Sequence, residues 1–150
     1  MIGLISRGGT RTPLTEAMLT APASAGSLAQ PVLAFLLGDA IAGPGVTALS
    51  AVSHVYGGLA ILSDGEVEAV RLGPVGVVPA GLDLTLEAVL LEADGQIVDT
   101  ATGAALGHPA DALANAGGAG RLVVTDGLTP PAAIGRRIAA HFTHLGSVTL

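Results

Sequence analysis

The side chains that could carry out a reaction in this chain are few and scattered. Thr125 and Asp126 end an apolar run, where the carboxylate could be a general base or could simply form a turn with the next glycine. His108 precedes a proline, where an imidazole could transfer protons or order the start of a helix. Tyr56, the one phenol, could donate a hydrogen bond to a carbonyl or fill the core. We take Asp126, Thr125 and His108 as candidate catalytic residues and Tyr56 as a candidate substrate contact.

The positive side chains that could bind an anionic substrate are all arginines. The chain has six of them and a net charge of −6. Arg11 and Arg71 could each hold a substrate carboxylate through two parallel hydrogen bonds, or could pair with acidic side chains of the protein. The excess of negative charge argues against a nucleic-acid partner, because phosphates require a basic surface.

Patterns typical of metal ligands and nucleophiles are sparse. The chain has no cysteine and no lysine, which removes thiol nucleophiles, thiolate metal sites and Schiff-base chemistry. Glu66 and Glu68 would share one face of a strand, either as part of a metal site or as two solvated carboxylates. His141 and His144 are three apart on a predicted strand, so they would face opposite sides and could not bind one ion together.

Residues 81–115 form the stretch that organises the rest of the chain. Alternating apolar side chains in residues 84–91 predict a strand, Asp94-Gly95 predicts a type I′ turn, and residues 96–100 continue the alternation. Pro109 suits the first position of a helix, which the glycines at 117 and 118 would end. The sequence therefore predicts strand, tight turn, strand, loop and helix.

Shorter patterns predict the remaining elements. Further strands are expected at residues 33–37, 59–63, 121–125, 137–142 and 145–150. Helices are expected over residues 14–19, capped by Thr12, and from Thr47 to Tyr56, ended by Gly57-Gly58. Residues 43–45 predict a break, and residues 73–81, rich in glycine and proline, predict an irregular crossing.

The composition narrows the fold class and the location. A chain of 150 residues, 50% hydrophobic but only 2% aromatic, predicts one domain, residues 1–150, with an aliphatic core. Its short strands and frequent turns predict an α+β, β-rich fold: a mixed, mostly antiparallel β-roll or barrel-like sheet with two or three short helices. The longest apolar run, residues 31–37, is far shorter than the roughly 20 residues that span a bilayer. Arginines interrupt the N-terminal segment, which is unlike a signal peptide, so we expect a cytoplasmic protein with no membrane partner.

Several segments, in order, are similar to those of one enzyme family. They are LTEAM at residues 14–18, LAFLLG at 33–38, AGLDL at 80–84, the turn at 93–95, LGHP at 106–109 before an alanine-rich helix, VVTDGLTPP at 123–131 and HLGSVT at 144–149. In these segments the chain resembles the 2-keto-4-pentenoate hydratase and 4-oxalocrotonate decarboxylase family. The resemblance implies a fumarylacetoacetate hydrolase-like fold.

The resemblance also implies a metal site whose ligands this chain does not keep. Family members hold a divalent metal through three carboxylates, and the metal polarises the oxo acid end of the substrate. Those three positions fall on Gln30, Val32 and Ala60. Because Gln30 keeps a polar side chain where the resemblance places the pocket, we take it as a further candidate substrate contact. The N-terminal part of the family is missing, and the loop before the central hairpin is reduced to residues 64–79. We therefore expect a shortened member of the family that uses no catalytic divalent metal and no cofactor.

Two classes of function remain open. The first is a metal-independent lyase, isomerase or cyclase acting on a small unsaturated oxo or enol compound. The second is a non-catalytic relative, either a partner subunit of a related hydratase or decarboxylase or a small-molecule binding protein. A pocket lined by convergent polar groups would favour the first, and a pocket filled by Val32 and Leu59 the second. Because only 12% of the residues are charged and the mean hydropathy is +0.67, we also expect a homodimer or larger homo-oligomer.

Overall fold

Two β-sheets build this protein, as seen in a computed structural model that describes residues 1–41, 43, 45–114 and 116–150. The strands are β1 (Gly3–Arg7), β2 (Thr10–Leu14), β3 (Leu28–Leu37), β4 (Val52–Ser63), β5 (Glu66–Val77), β6 (Ala88–Ala93), β7 (Gln96–Thr102), β8 (Leu122–Val124), β9 (Ala132–Ala133), β10 (Ile138–Phe142) and β11 (Gly146–Thr149). Short 3₁₀ helices span Glu16–Leu19, Gly45–Ala51, Gly103–Leu106 and Pro109–Leu113. Pro44 in the predicted break and Asn115 at the end of the central stretch lie outside the described residues.

The larger sheet has the strand order β2-β1-β8-β3-β4-β5, with β9 paired to one end of β3. All its pairs are antiparallel except β1 with β8, which run parallel from Gly3 opposite Leu122 to Ile5 opposite Val124. Nearly all of β3 is buried, as its continuous apolar run predicts for a strand covered on both faces. This central strand therefore carries packing on either side of the sheet.

The smaller sheet has the order β11-β10-β6-β7 and is antiparallel throughout. Its β6–β7 hairpin turns at Asp94-Gly95, where both residues have positive φ, 50° and 84°. That is the conformation of the predicted type I′ turn. The expected β-rich, mixed and mostly antiparallel fold with short helices is confirmed, and its sheets stay open rather than closing into a barrel.

Two hydrophobic clusters lie on the two faces of the larger sheet. The first fills the space between the sheets and includes Leu33, Phe35, Val55, Leu59, Val89, Leu91, Ile138, Ala140, Phe142 and Val148. The second lies on the other face and consists of Ile5, Leu14, Val32, Ala34, Ala60, Leu62, Val70 and Val124, with Met18 and Leu19 packed against it. Alternate residues of β3 thus serve two different cores.

The helix predicted from Thr47 to Tyr56 is wrong beyond residue 51. Val52 begins β4, so His54, which we had assigned to a helix, and Tyr56 both lie on a strand. Gly57 and Gly58, which predict a helix end, lie inside β4. A Cβ at Gly57 would come 2.5 Å from the Phe142 ring, so this position has no room for a side chain. Close packing between the sheets, rather than chain termination, explains that glycine.

Three other boundaries also differ from the predictions. Thr12 lies in β2, and the first helix begins only at Glu16. The β6 strand begins at Ala88, because Asp83 accepts hydrogen bonds from the Thr85 amide and hydroxyl and holds residues 84–86 in a turn. Strand β5 continues to Val77, through much of the predicted irregular crossing. No helix in the described ranges is long and apolar enough to cross a membrane.

Candidate functional site

The loop that follows β8 is attached to β3 along its length. The Thr125 amide donates to the Leu33 carbonyl at 2.9 Å, and the Leu33 amide donates to the Thr125 hydroxyl oxygen at 3.0 Å. Further along, the Leu128 amide donates to Pro31 at 2.8 Å and the Gln30 side-chain amide donates to the Thr129 carbonyl at 2.9 Å. The buried strand therefore fixes the position of this loop.

Thr125 is a structural part of the loop rather than a free hydroxyl. It is 2% exposed. Its hydroxyl donates its single proton to the Asp126 carbonyl at 2.9 Å while accepting from Leu33. Its physical effect is to orient the backbone that carries Asp126.

The Asp126 carboxylate projects from the loop and is partly accessible, with 47% of its side chain exposed. One oxygen, Oδ1, accepts the Gly127 amide at 2.9 Å and lies 3.8 Å from Arg7 Nε. The other, Oδ2, accepts the Gly8 amide at 3.1 Å. The contact with the Gly127 amide is local to the side chain, and the backbone at residues 125–127 forms no turn, so the turn predicted from the sequence is wrong. The two contacts leave the carboxylate with free acceptor positions.

His108 faces the same region from the start of a 3₁₀ helix. Its Nδ1 accepts a hydrogen bond from the Ala110 amide at 3.0 Å, which makes the imidazole the cap of the helix Pro109–Leu113. Because Nδ1 is the acceptor, the neutral ring carries its proton on Nε2. His108 can therefore order the helix and still offer an N–H donor to a ligand.

These three predicted catalytic residues converge on one open cleft of about 340 Å³. The cleft is lined by Ser6, Gly8, Gly9, Ala105, Leu106, His108, Pro109, Asp111, Ala112, Thr125 and Asp126. We call it the Asp126 cleft. A carboxylate acceptor and an imidazole N–H on one surface can remove a proton from a bound carbonyl compound and donate to its oxygen.

Arg7 is the arginine that the structure places beside Asp126, and it is not among the residues predicted from the sequence. It lies beside Asp126 and also donates to the Gly65 carbonyl. A second cleft of about 330 Å³, on the other side of Asp126, is lined by Arg7, Thr10, Thr12, Glu66 and neighbouring residues. The Gly8-Gly9 turn predicts only that Arg7 lies opposite Thr10 across a tight hairpin. The contact of Arg7 with Asp126 depends on the pairing of β1 with β8, which no local pattern encodes.

The predicted substrate-binding residues lie elsewhere. Arg71 donates to the carbonyls of Leu19 and Ala21, so it fastens the segment after the first helix. Arg11 is exposed on β2, and Tyr56 lies on β4 with its ring 6.4 Å from that of His54. Gln30 is buried directly beneath the loop, where a Cβ on Gly127 would come 2.0 Å from its amide nitrogen. Of the four, Gln30 is the one whose described hydrogen bonds reach the loop that bears Asp126.

The positions expected for metal ligands converge but do not fit a metal. Gln30 and Val32 share one face of β3, and Ala60 lies opposite Gln30 on β4. Val32 and Ala60 are 1% and 2% exposed in the second hydrophobic cluster. Gln30 Oε1 is buried and has no hydrogen-bond partner among the residues that the structure describes, and it is the one side-chain oxygen of the set. One neutral oxygen and two aliphatic groups do not supply the anionic ligands that a divalent cation requires.

The other acidic and histidine candidates are separated. A β-bulge opposite Ile61 and Leu62 inserts Glu68, which binds Ser24 and Ser27, whereas Glu66 lines the second cleft. Hydrogen bonds from Ser24, then Ser27, hold the pKa of the Glu68 carboxyl below its ordinary value. His144 lies in a turn rather than on the predicted strand, with its Nδ1 2.7 Å from the buried Glu87. Within the described residues, no three His, Cys, Asp or Glu side chains could hold a metal ion.

Known structures share this fold. The chain matches a 4-oxalocrotonate decarboxylase from Pseudomonas putida G7, complexed with calcium and acetate, at a TM-score of 0.70 and 17% identity, covering 83% of this chain and 59% of that one. A 5-carboxymethyl-2-hydroxymuconate delta-isomerase from Mycobacterium smegmatis matches at a TM-score of 0.70 and 16% identity, over 84% of this chain and 58% of that one. A fumarylpyruvate hydrolase from Pseudomonas aeruginosa, in complex with Mn²⁺ and pyruvate, matches at a TM-score of 0.66 and 15% identity, over 86% of this chain and 67% of that one.

These comparisons show the fold and leave the family open. The fold is fumarylacetoacetate hydrolase-like, as the resemblance implied. The chain spans about three fifths of the length of the first two structures. No protein-family model matches the chain, and no curated protein matches its sequence.

Proposed function

We propose that the Asp126 cleft binds a small unsaturated oxo or enol compound and moves a proton on it without a metal, as a lyase, isomerase or cyclase does. The observation that carries this proposal is the convergence of Asp126 and His108 on one cleft. Similar structures are named as a decarboxylase, an isomerase and a hydrolase, which supports small-molecule chemistry on this fold.

Each group has a role that follows from its contacts. Asp126 is the base that removes a proton adjacent to the substrate carbonyl, because its carboxylate is accessible and keeps free acceptor positions. His108 donates its Nε2 proton to the carbonyl oxygen as negative charge develops there. Arg7 attracts an anionic substrate to this end of the sheet. Thr125 is a positioning residue that fixes the loop.

The test follows loss of α-hydrogens from a panel of small 2-oxo acids in D₂O by ¹H NMR. The wild-type protein should accelerate the exchange, and EDTA should leave the rate unchanged. Asp126→Asn keeps the size of the side chain and an acceptor for the Gly127 amide, and should slow exchange by about 10²–10⁴-fold.

Asp39→Asn is the matched control, since Asp39 is an exposed residue whose carboxylate accepts only its neighbour Ala40 among the hydrogen bonds described. It should exchange α-hydrogens at the wild-type rate. Activity abolished by EDTA, or full activity in Asp126→Asn, would contradict the proposal.

One observation favours a second candidate, a non-catalytic partner subunit or binding protein. Val32 and Ala60, at two of the three positions where the resemblance places metal ligands, are 1% and 2% exposed among the aliphatic side chains of the second cluster. Leu59 lies on the opposite face of the larger sheet, in the core between the sheets. If this alternative is correct, the wild-type protein does not accelerate α-hydrogen exchange. It would instead form a complex with a related hydratase or decarboxylase subunit, seen as a larger species in size-exclusion chromatography.

A further inference from the structure

Three polar residues form a line across the outer face of the smaller sheet, away from the Asp126 cleft. Glu92 lies on β6, His141 on β10 and Ser147 on β11, and His141 pairs directly with Ser147. Their strand neighbours Leu91, Ala140 and Val148 belong to the core between the sheets. Since side chains alternate along a strand, Glu92, His141 and Ser147 face outward together.

The hydrogen bonds along this line have one consistent direction. The His141 ring lies 2.7 Å from the Ser147 hydroxyl through Nδ1 and 3.1 Å from Glu92 Oε2 through Nε2. An ionised carboxylate only accepts, so Nε2 carries the proton and Nδ1 has a free lone pair for the serine hydroxyl. Arg137 Nη1 donates to the other Glu92 oxygen at 3.3 Å, which orients the carboxylate towards His141.

An apolar groove begins at the same histidine. It has a volume of about 500 Å³, and its lining includes His141, Leu90 and Phe142. Side chains of Thr100 and Thr102 on β7 form its opposite side. Such a surface suits a short hydrocarbon chain whose polar end projects over the histidine.

We propose that Ser147, His141 and Glu92 form a second catalytic site, which hydrolyses small esters with a short apolar acyl chain. The acyl chain occupies the groove. Ser147 is the nucleophile, His141 is the general base and Glu92 is a positioning residue that sets the tautomer of the ring. This site shares no residue with the one proposed around Asp126.

The reaction balances with water as the co-reactant. The Ser147 oxygen bonds to the ester carbonyl carbon while His141 Nδ1 takes the hydroxyl proton. The bond from that carbon to the alkoxy oxygen then breaks, and His141 returns the proton to the departing alcohol. Water next attacks the acyl group and gives a proton to His141, and the bond to Ser147 breaks. Release of the carboxylic acid and return of the proton restore the Ser147 hydroxyl.

The chain contains a natural control for this arrangement. Ser53 lies 3.2 Å from His54 Nδ1, so a second serine is in contact with a histidine. The Ser53 hydroxyl donates to the Leu36 carbonyl at 3.2 Å, so its proton points to the backbone and not to the imidazole. Ser53 should therefore be inert towards reagents that label activated serines.

The experiment combines covalent labelling with ester hydrolysis. A fluorophosphonate probe should modify Ser147 alone, as located by peptide mass spectrometry, and p-nitrophenyl butyrate should be hydrolysed. Ser147→Ala should lose labelling and lower kcat/KM by at least about 10²-fold, while Ser53→Ala matches wild type. His141→Ala should lose activity by a similar factor and recover part of it with added imidazole, an effect that a merely structural histidine would not show.

Either of two results would overturn the proposal: labelling that bypasses Ser147, or a Ser147→Ala variant that hydrolyses the ester as fast as wild type. Thermal melting of each variant identifies any loss that comes from unfolding. The two proposed sites also separate cleanly, because Asp126→Asn should retain ester hydrolysis and Ser147→Ala should retain α-hydrogen exchange.

Discussion

Among the described residues, the donors to the Glu68 carboxylate come from the loop before β3. The Ser24 amide donates at 3.0 Å, and the hydroxyls of Ser24 and Ser27 donate as well. These bonds favour the charged form and lower the pKa of the carboxyl, led by the Ser24 hydroxyl. Glu68, one of the two carboxylates considered as metal ligands, therefore anchors the loop before β3.

The lowered pKa of Glu68 predicts a pH-dependent contribution to stability. A carboxyl whose pKa is lower in the folded state stabilises the fold fully above its unfolded-state pKa, and loses that effect as pH falls through the folded-state pKa. Glu68→Gln should therefore be less stable than wild type in urea at neutral pH, with the difference disappearing in acid. Glu66→Gln is the control. A difference that persisted unchanged in acid would contradict the assignment.

At the level of single residues, sequence reasoning succeeded where the environment is local. His108 capping the helix at Pro109 follows from its neighbours in the chain. The choice of Arg11 and Arg71 over Arg7 shows the limit. Arg7 meets Asp126 only because β1 pairs with β8, and no local pattern encodes that pairing.

The β6–β7 hairpin is tied to the start of β10 through its turn. Asp94 Oδ1 accepts the amides of Arg136 and Arg137 at 2.9 and 3.0 Å, in addition to adopting positive φ. Asp94→Ala should lose about 1–3 kcal/mol of the free energy of unfolding, measured in urea, from backbone strain plus two lost acceptor contacts.

The second Asp-Gly turn isolates the two contributions. Asp64 also has positive φ, 52°, so Asp64→Ala should introduce similar backbone strain. It should be the milder substitution, because the extra loss in Asp94→Ala comes from the two arginine amides. Equal losses in the two variants would show that the side chain of Asp94 contributes nothing to the hairpin's attachment.

Elements were predictable where periodicity and turn chemistry agree, as in the β6–β7 hairpin. They were not predictable where tertiary packing overrides local preference. Gly57 and Gly58 suggest a helix end in isolation, yet the Phe142 ring requires a residue without a side chain at Gly57 within β4. The β-bulge at Glu68 likewise depends on the partner strand.

The surface of the whole molecule supports a proposal that it assembles with itself. Strand β7 is an edge of the smaller sheet, and Ile97 and Val98 on it are 62% and 49% exposed. Apolar edge strands pair readily with another strand, so we propose a homodimer through β7. Light scattering should give at least a dimer mass at micromolar concentration, and Ile97→Lys should give the monomer.

Val46→Lys serves as the control for the dimer, because Val46 is similarly exposed, at 59%, but lies in a 3₁₀ helix. It should leave the mass unchanged. A wild-type monomer would remove the proposal, and a dimer that survives Ile97→Lys would move the interface away from β7.

The parallel pairing of β1 with β8 has a consequence for the order of folding. Strand β8 lies between β1 and β3, so the first hairpin joins the rest of the sheet only after residues 122–124 have been synthesised. Closing so long a loop is slow, and an isolated two-stranded hairpin is marginally stable in water. Gly8, which lines the Asp126 cleft, stands on the early side of that junction and Asp126 on the late side. Most of the chain must therefore be synthesised before the cleft can form, because the lining residues near Gly8 and those at Thr125 and Asp126 come together only when β1 pairs with β8.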